Sequence, residues 1–207
     1  MTKDELEAFR GRAVDAAIRL FAEYGYRGVT LRTLAKALGV SPMTPYRYFE
    51  NKEELFSMVR GEAFRRFADA QRDASAGVDD PEEALRVLGS AYVSFALDEP
   101  DAYHIMFEPL QAPAGTYPEL ETEQARAFSY LHEAVAALGE ARGTEGDPLR
   151  RAHFLWAQVH GLVSLHLAGK LVMGCTLEEL MPAVFEQSEA CLLYTSDAAD
   201  DWLVGVV

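Results

Sequence analysis

Apolar residues return at every third or fourth position along nearly the whole chain, and no run alternates with period two for long enough to make a strand. A sequence patterned this way buries one stripe per helix, so the expected fold class is all-α. Its punctuation separates the helices. Leu6, Phe9, Val14, Ala17, Ile18 and Phe21 form the stripe of a first helix from Lys3 to Tyr24, which Gly25 closes. Thr30 is a good N-cap for a helix over Leu31 to Leu38, ended by Gly39. Ser41, followed by Pro42 at the first helical position, opens a third short helix. Asn51 opens a fourth that runs to about Ala74, with Glu54 completing a capping box. Beyond the linker from Ser75 to Pro81, the periodicity predicts helices near 81–98, 100–108, 118–140, 147–172 and 177–190. Pro109 to Pro118 is the one long loop.

A chain of 207 residues, 49% apolar and 25% charged, can bury a core in one large domain or two small ones. Cys175 and Cys191 are too few for a disulfide framework and lack zinc-ligand spacing, which fits a reducing compartment. The opening Met1-Thr2-Lys3-Asp4-Glu5 is charged where an export signal would be apolar. The most apolar window, Phe154 to Gly174, is interrupted by Gln158, His160, His166 and Lys170, so no membrane span is expected and the chain reads as cytoplasmic. Charge is spread unevenly. The formal total is −14, yet residues 27–52 carry Arg27, Arg32, Lys36, Arg47 and Lys52 against Glu50 alone. A basic patch on an acidic protein can meet a polyanion while the rest of the chain repels it; a plain solvated face is the competing reading.

The segment TLRTLAKALGVSPMTPYRYFENKEEL, from Thr30 to Leu55, decides between them. Two short helices joined by Leu38-Gly39-Val40-Ser41 make a helix-turn-helix, with glycine taking the left-handed turn and Val40 filling the angle. Leu31, Leu34, Ala35 and Leu38 give the first helix its apolar face. The outer surface of the second is Pro42, Met43, Thr44, Tyr46, Arg47 and Tyr48. Such side chains donate to phosphates and base edges and pack on thymine methyls, as a recognition helix in the major groove requires. A purely structural helical hairpin explains two tyrosines and an arginine there less well.

Residues from about Glu7 to Phe67 resemble the DNA-binding domain of the TetR family of bacterial transcriptional regulators. The resemblance rests on Ala16-Ala17, Leu20-Phe21-Ala22-Glu23-Tyr24-Gly25-Tyr26, Thr30, Leu34-Ala35, Leu38-Gly39-Val40-Ser41, Tyr46 and Phe49-Glu50-Asn51-Lys52-Glu53-Glu54-Leu55. It implies that Thr30 and Lys52 meet phosphates, that Arg32 approaches the duplex, and that Met43, Thr44, Tyr46, Arg47 and Tyr48 form the reading surface. Pro45 departs from the family, which usually has an aliphatic residue there. Trp156, His160 and Gly161 are similar to a Trp-x-x-x-His-Gly signature of one branch of C-terminal domains in the same family. The implied arrangement is a DNA-binding domain over 1–60, with its helix-turn-helix at about 30–49, and an effector-binding and dimerisation domain over 61–190. A homodimer would read a palindromic operator, because one recognition helix contacts too few base pairs for genomic selectivity.

For the effector, Phe95, Tyr103, Met106, Phe107, Phe128, Trp156 and His160 are the candidate contacts, and the aromatic density around them suits a small apolar molecule. Simple core packing is the alternative for every one of them. No metal or cofactor is expected: His153 and His160 share a helix face but lack a carboxylate at ligand spacing. Nor is an enzyme, since there is no nucleotide-binding glycine loop, Gly-x-Ser-x-Gly elbow or His-Glu-x-x-His pair. The functional expectation is a ligand-responsive repressor; the alternatives are a helical protein-binding adaptor that does not read DNA and a small helical enzyme. The run from Cys191 to Asp200 resembles the conceptual translation of a transposon-based sequencing adapter, so residues 191–207 are expected to be an artefactual tail.

Overall fold

The computed structural model describes residues 3–109 and 112–184, with side chains from Ala8 onward. Its helices are α1 (Lys3–Gly28), α2 (Leu31–Ala37), α3 (Lys52–Ser75), α4 (Pro81–Asp98), α5 (Pro100–Met106), α6 (Pro118–Arg142) and α7 (Pro148–Leu167), with residues 177–184 helical as well. No strand occurs among the described residues. The last residues of the helix expected at 177–190, and the whole tail expected at 191–207, lie outside the described residues.

Local chemistry sets the helix ends. Gly25, at φ 66°, interrupts α1 in a left-handed conformation that costs glycine nothing. Thr30 and Thr33 cap α2 reciprocally: the Thr33 N–H donates to Thr30 Oγ1 (3.1 Å) and the Thr30 N–H to Thr33 Oγ1 (2.9 Å). Asn51 Oδ1 accepts from the Glu54 N–H (2.8 Å), while the Glu54 carboxylate reaches back to the Glu50 N–H (2.5 Å). Asp147 opens α7 by accepting from the Leu149 N–H (2.9 Å). Thr176 and Glu179 form a second reciprocal pair ahead of the helical residues 177–184.

The third short helix expected from Ser41 onward is corrected. Residues Pro45–Arg47 form a single 3-10 turn, and Pro42 and Met43 lie in a preceding turn. An α-helical ladder would need Pro45 to donate to the Ser41 carbonyl, and proline has no N–H to give. That carbonyl takes the Thr44 N–H instead (2.8 Å), and the i to i+3 pattern continues from Arg47 to Thr44 (3.1 Å) and from Tyr48 to Pro45 (2.9 Å).

The chain forms two compact units. The first comprises the described residues up to Ala70 together with Asp98–Ala127; the second comprises Gln71–Leu97 together with the described residues from Phe128. The chain passes between the units three times, within α3, at the end of α4 and within α6, rather than at the linker after Ser75. In the first unit, Phe9, Ala13, Ala17 and Phe21 follow the four-residue spacing of one face of α1, and all are buried. Leu34 and Ala35 of α2 and Leu55, Phe56 and Val59 of α3 complete this core. Phe21 meets Phe56 edge-on at 4.9 Å between ring centroids. Arg66 of α3 ties the unit together by pairing with Asp15 of α1, with Glu62, and with Glu99 just before α5. In the second unit, Leu85 and Leu88 of α4, Val135 and Leu138 of α6, and Ala152 and Leu155 of α7 form one buried cluster.

Candidate functional site

The surface around the 3-10 turn is built by an alternation of inward and outward side chains. Pro45, Tyr48 and Phe49 point into the first unit and are buried. Met43 and Tyr46 stand out at 69% and 49% exposure, Arg47 is exposed beside them, and Thr44 is half-buried. Tyr48, expected on the reading surface, is corrected to a core residue. Its ring stacks on Phe9 at 4.2 Å with an interplanar angle of 27°, and it shares the buried side of the turn with Pro45, three residues earlier, and Phe49. Arg32 is exposed on α2, and Thr30 is exposed at its N-terminus.

Lys52 has a role that the sequence did not disclose. Its Nζ donates to the Tyr26 carbonyl (3.1 Å) and lies 4.2 Å from the centre of the Tyr26 ring. The Tyr26 hydroxyl donates to Glu53 Oε1 (2.8 Å). Burial, reinforced by that carboxylate, pushes the Tyr26 phenol up to about 12. Lys52 is therefore held at the start of α3 by α1's last turn, with its charge at a fixed place.

In the second unit, the Trp156 ring lies 6.1 Å from both Phe128 and His160. His160 Nδ1 is hydrogen-bonded to the Tyr92 hydroxyl (3.0 Å) and Nε2 faces Ser164 Oγ (3.4 Å). Burial holds the imidazole below the ordinary histidine range, so the ring is neutral near pH 7. A cavity of about 40 Å³ opens beside this cluster, lined by Trp156, Tyr92, Leu155 and Gln71 among others. Of the seven expected effector contacts, Trp156 alone lines the cavity, Phe128 and His160 flank it, and Phe95 is buried on α4. Tyr103, Met106 and Phe107 are corrected. They belong to the first unit, where Phe107 packs edge-on against Tyr103 (5.1 Å) and Phe64 (6.2 Å), so their apolar surface is spent on that core.

A helix-turn-helix with an exposed, basic and aromatic outer face, joined to a second helical unit, defines a class of DNA-binding regulators. Residues 13–59 match the family described as bacterial regulatory proteins, tetR family, and residues 85–187 match the tetracyclin repressor-like C-terminal domain. The chain belongs to the tetR family. Over 79 residues it is 38% identical to the HTH-type transcriptional repressor Rv1474c of Mycobacterium tuberculosis, spanning 38% of this chain but only 42% of that protein. It is 23% identical over 198 residues to the HTH-type transcriptional regulator Rv1816 of the same organism, covering 81% and 84% of the two chains. The solved structure of SCO4313 superposes with a TM-score of 0.74 at 27% identity, covering 92% of this chain and 99% of that one. No described helix is long and apolar enough to cross a membrane.

Proposed function

We propose that the chain is a cytoplasmic, homodimeric, ligand-responsive repressor that reads a palindromic operator and leaves it when a small apolar effector binds. The exposure of Met43 and Tyr46 beside Arg47 and Arg32, on the one basic stretch of an acidic chain, carries this reading. Met43, Thr44, Tyr46 and Arg47 form the reading surface, with Met43 packing on thymine methyls, while Thr30 and Lys52 meet phosphates and Arg32 approaches the duplex. A second copy covers the outer face of α7, where Phe154 (50% exposed), Ala157, Gly161 and Leu165 (46% exposed) follow the three- and four-residue spacing of one stripe. The effector enters the second unit beneath Trp156 and His160 and acts by favouring a dimer in which the two reading surfaces no longer match the operator. A mobility-shift titration of the full chain on its own upstream DNA, with unrelated duplex as competitor, tests the proposal. A shifted band that survives competitor is the expected result; equal affinity for both duplexes overturns it.

A further inference from the structure

Lys52 and Glu53 open α3 side by side, and Tyr26 of α1 touches both. A lysine stem ordinarily samples many rotamers, and a neighbouring carboxylate ordinarily offers its ammonium a partner in place of phosphate. Tyr26 meets these two difficulties with different atoms. Its carbonyl accepts from Lys52 Nζ (3.1 Å) and its ring lies 4.2 Å from the same ammonium, which still has donors to spare for a phosphate. Its hydroxyl, at the far end of the ring, donates to Glu53 Oε1 (2.8 Å). That bond suits the charge state of both partners. Burial, with help from Glu53, pushes the phenol up to about 12, so the proton it donates is kept. The bond in turn holds the Glu53 carboxyl below its ordinary range, so the group is a carboxylate. The ring does not owe its place to the hydroxyl. Phe21 stacks on it at 6.2 Å and 9° between planes, and Phe56 meets it edge-on at 5.0 Å.

We propose that Tyr26 is a positioning residue for DNA binding: its hydroxyl keeps the Glu53 carboxylate away from the Lys52 ammonium, which its own carbonyl and ring hold ready for a phosphate. The inference rests on the DNA-binding reading above and adds to it a role for Tyr26 and Glu53. A lysine already held in place gives up less rotamer freedom when it meets the duplex. Once released, the Glu53 carboxylate either pairs with Lys52 or faces the phosphate itself. Both weaken binding to every duplex alike, since neither involves a base edge.

Fluorescence anisotropy of the full chain on its labelled upstream DNA and on unrelated duplex, over a series of salt concentrations, tests this. Tyr26→Phe keeps the ring and the backbone. It is expected to weaken binding to both duplexes by about fivefold and to make the slope of log affinity against log salt shallower. Measured in a chain that also carries Glu53→Gln, the Tyr26→Phe loss is expected to vanish, because a neutral amide has no charge to compete with. A loss above about twofold that persists beside Glu53→Gln makes the hydroxyl merely structural and overturns the proposal. Failure of Tyr26→Phe to fold, read by thermal melting, overturns it for the same reason. Parental affinity in Tyr26→Phe, with a parent chain that prefers its upstream DNA, overturns this inference and leaves the repressor standing. A parent chain that binds neither duplex overturns the repressor reading and this inference with it.

Discussion

Tyr46 and Tyr48 are two residues apart and chemically identical, yet alanine should act on them in opposite ways. Tyr48 is 9% exposed and stacked on Phe9, itself 7% exposed, so Tyr48→Ala removes a ring from a closed core and leaves a cavity against Phe9. Truncations of this kind cost about 3–5 kcal/mol, against a total stability of about 5–15 kcal/mol. At about 2–4 °C per kcal/mol for a chain of this size, the melting transition of the chain should fall by roughly 6–20 °C. Tyr46 is 49% exposed and has no ring contact among the described residues, so Tyr46→Ala should leave melting nearly unchanged. Its loss should appear in operator affinity, as about 1–3 kcal/mol, or roughly 5- to 150-fold. Differential scanning calorimetry and fluorescence anisotropy on labelled operator measure the two quantities independently. If Tyr48→Ala melts like the parent chain, or Tyr46→Ala lowers melting as much as Tyr48→Ala, the inward and outward assignment is wrong.

Lys52→Ala should weaken binding to all duplexes alike and lower the slope of log affinity against log salt by about one unit; an unchanged slope would remove Lys52 from the phosphate contacts. Gly39→Ala should cost about 1–2 kcal/mol from backbone strain alone, because φ is +66° and an added Cβ meets nothing within 4 Å; denaturant unfolding checks this. Burial holds the His160 imidazole below its ordinary value, so between the two values the unfolded chain binds more protons than the folded one. Stability should be complete above about pH 6.5 and fall as pH drops towards the folded value; His160→Gln should flatten that limb in melts at pH 7.5 and 5.5.

The helix borders were legible because the signals that set them are local. Thr30, Asn51 and Gly25 each act on their own backbone neighbours, and the structure uses them where the sequence places them. The tightening at Pro45 was not legible in the same way: its ring cannot donate to the Ser41 carbonyl, and that carbonyl takes the Thr44 N–H instead. Tyr48 lies two residues from Tyr46, so on a helical turn the two rings face different ways, and Pro45, Tyr48 and Phe49 together make the buried side. Aromatic density near residues 95–128 showed that apolar clusters exist but not which unit each belongs to, so Tyr103, Met106 and Phe107 were grouped with Trp156.

The ion pairs of Arg66 bear on how this protein can be taken apart and recombined. A reading head cut out after residue 60 would lose Arg66 itself and leave Asp15 without its cation. Cut after residue 70, it would keep Arg66 but lose Glu99, together with α5, which packs on α1, and Arg126, which grips Asp69 and the Arg65 carbonyl. A chimera that exchanges operator specificity between two such regulators therefore needs joints near residues 70, 98 and 127 rather than one. The head is continuous in space and discontinuous in the gene, so homologous recombination with a single crossover would seldom move it intact.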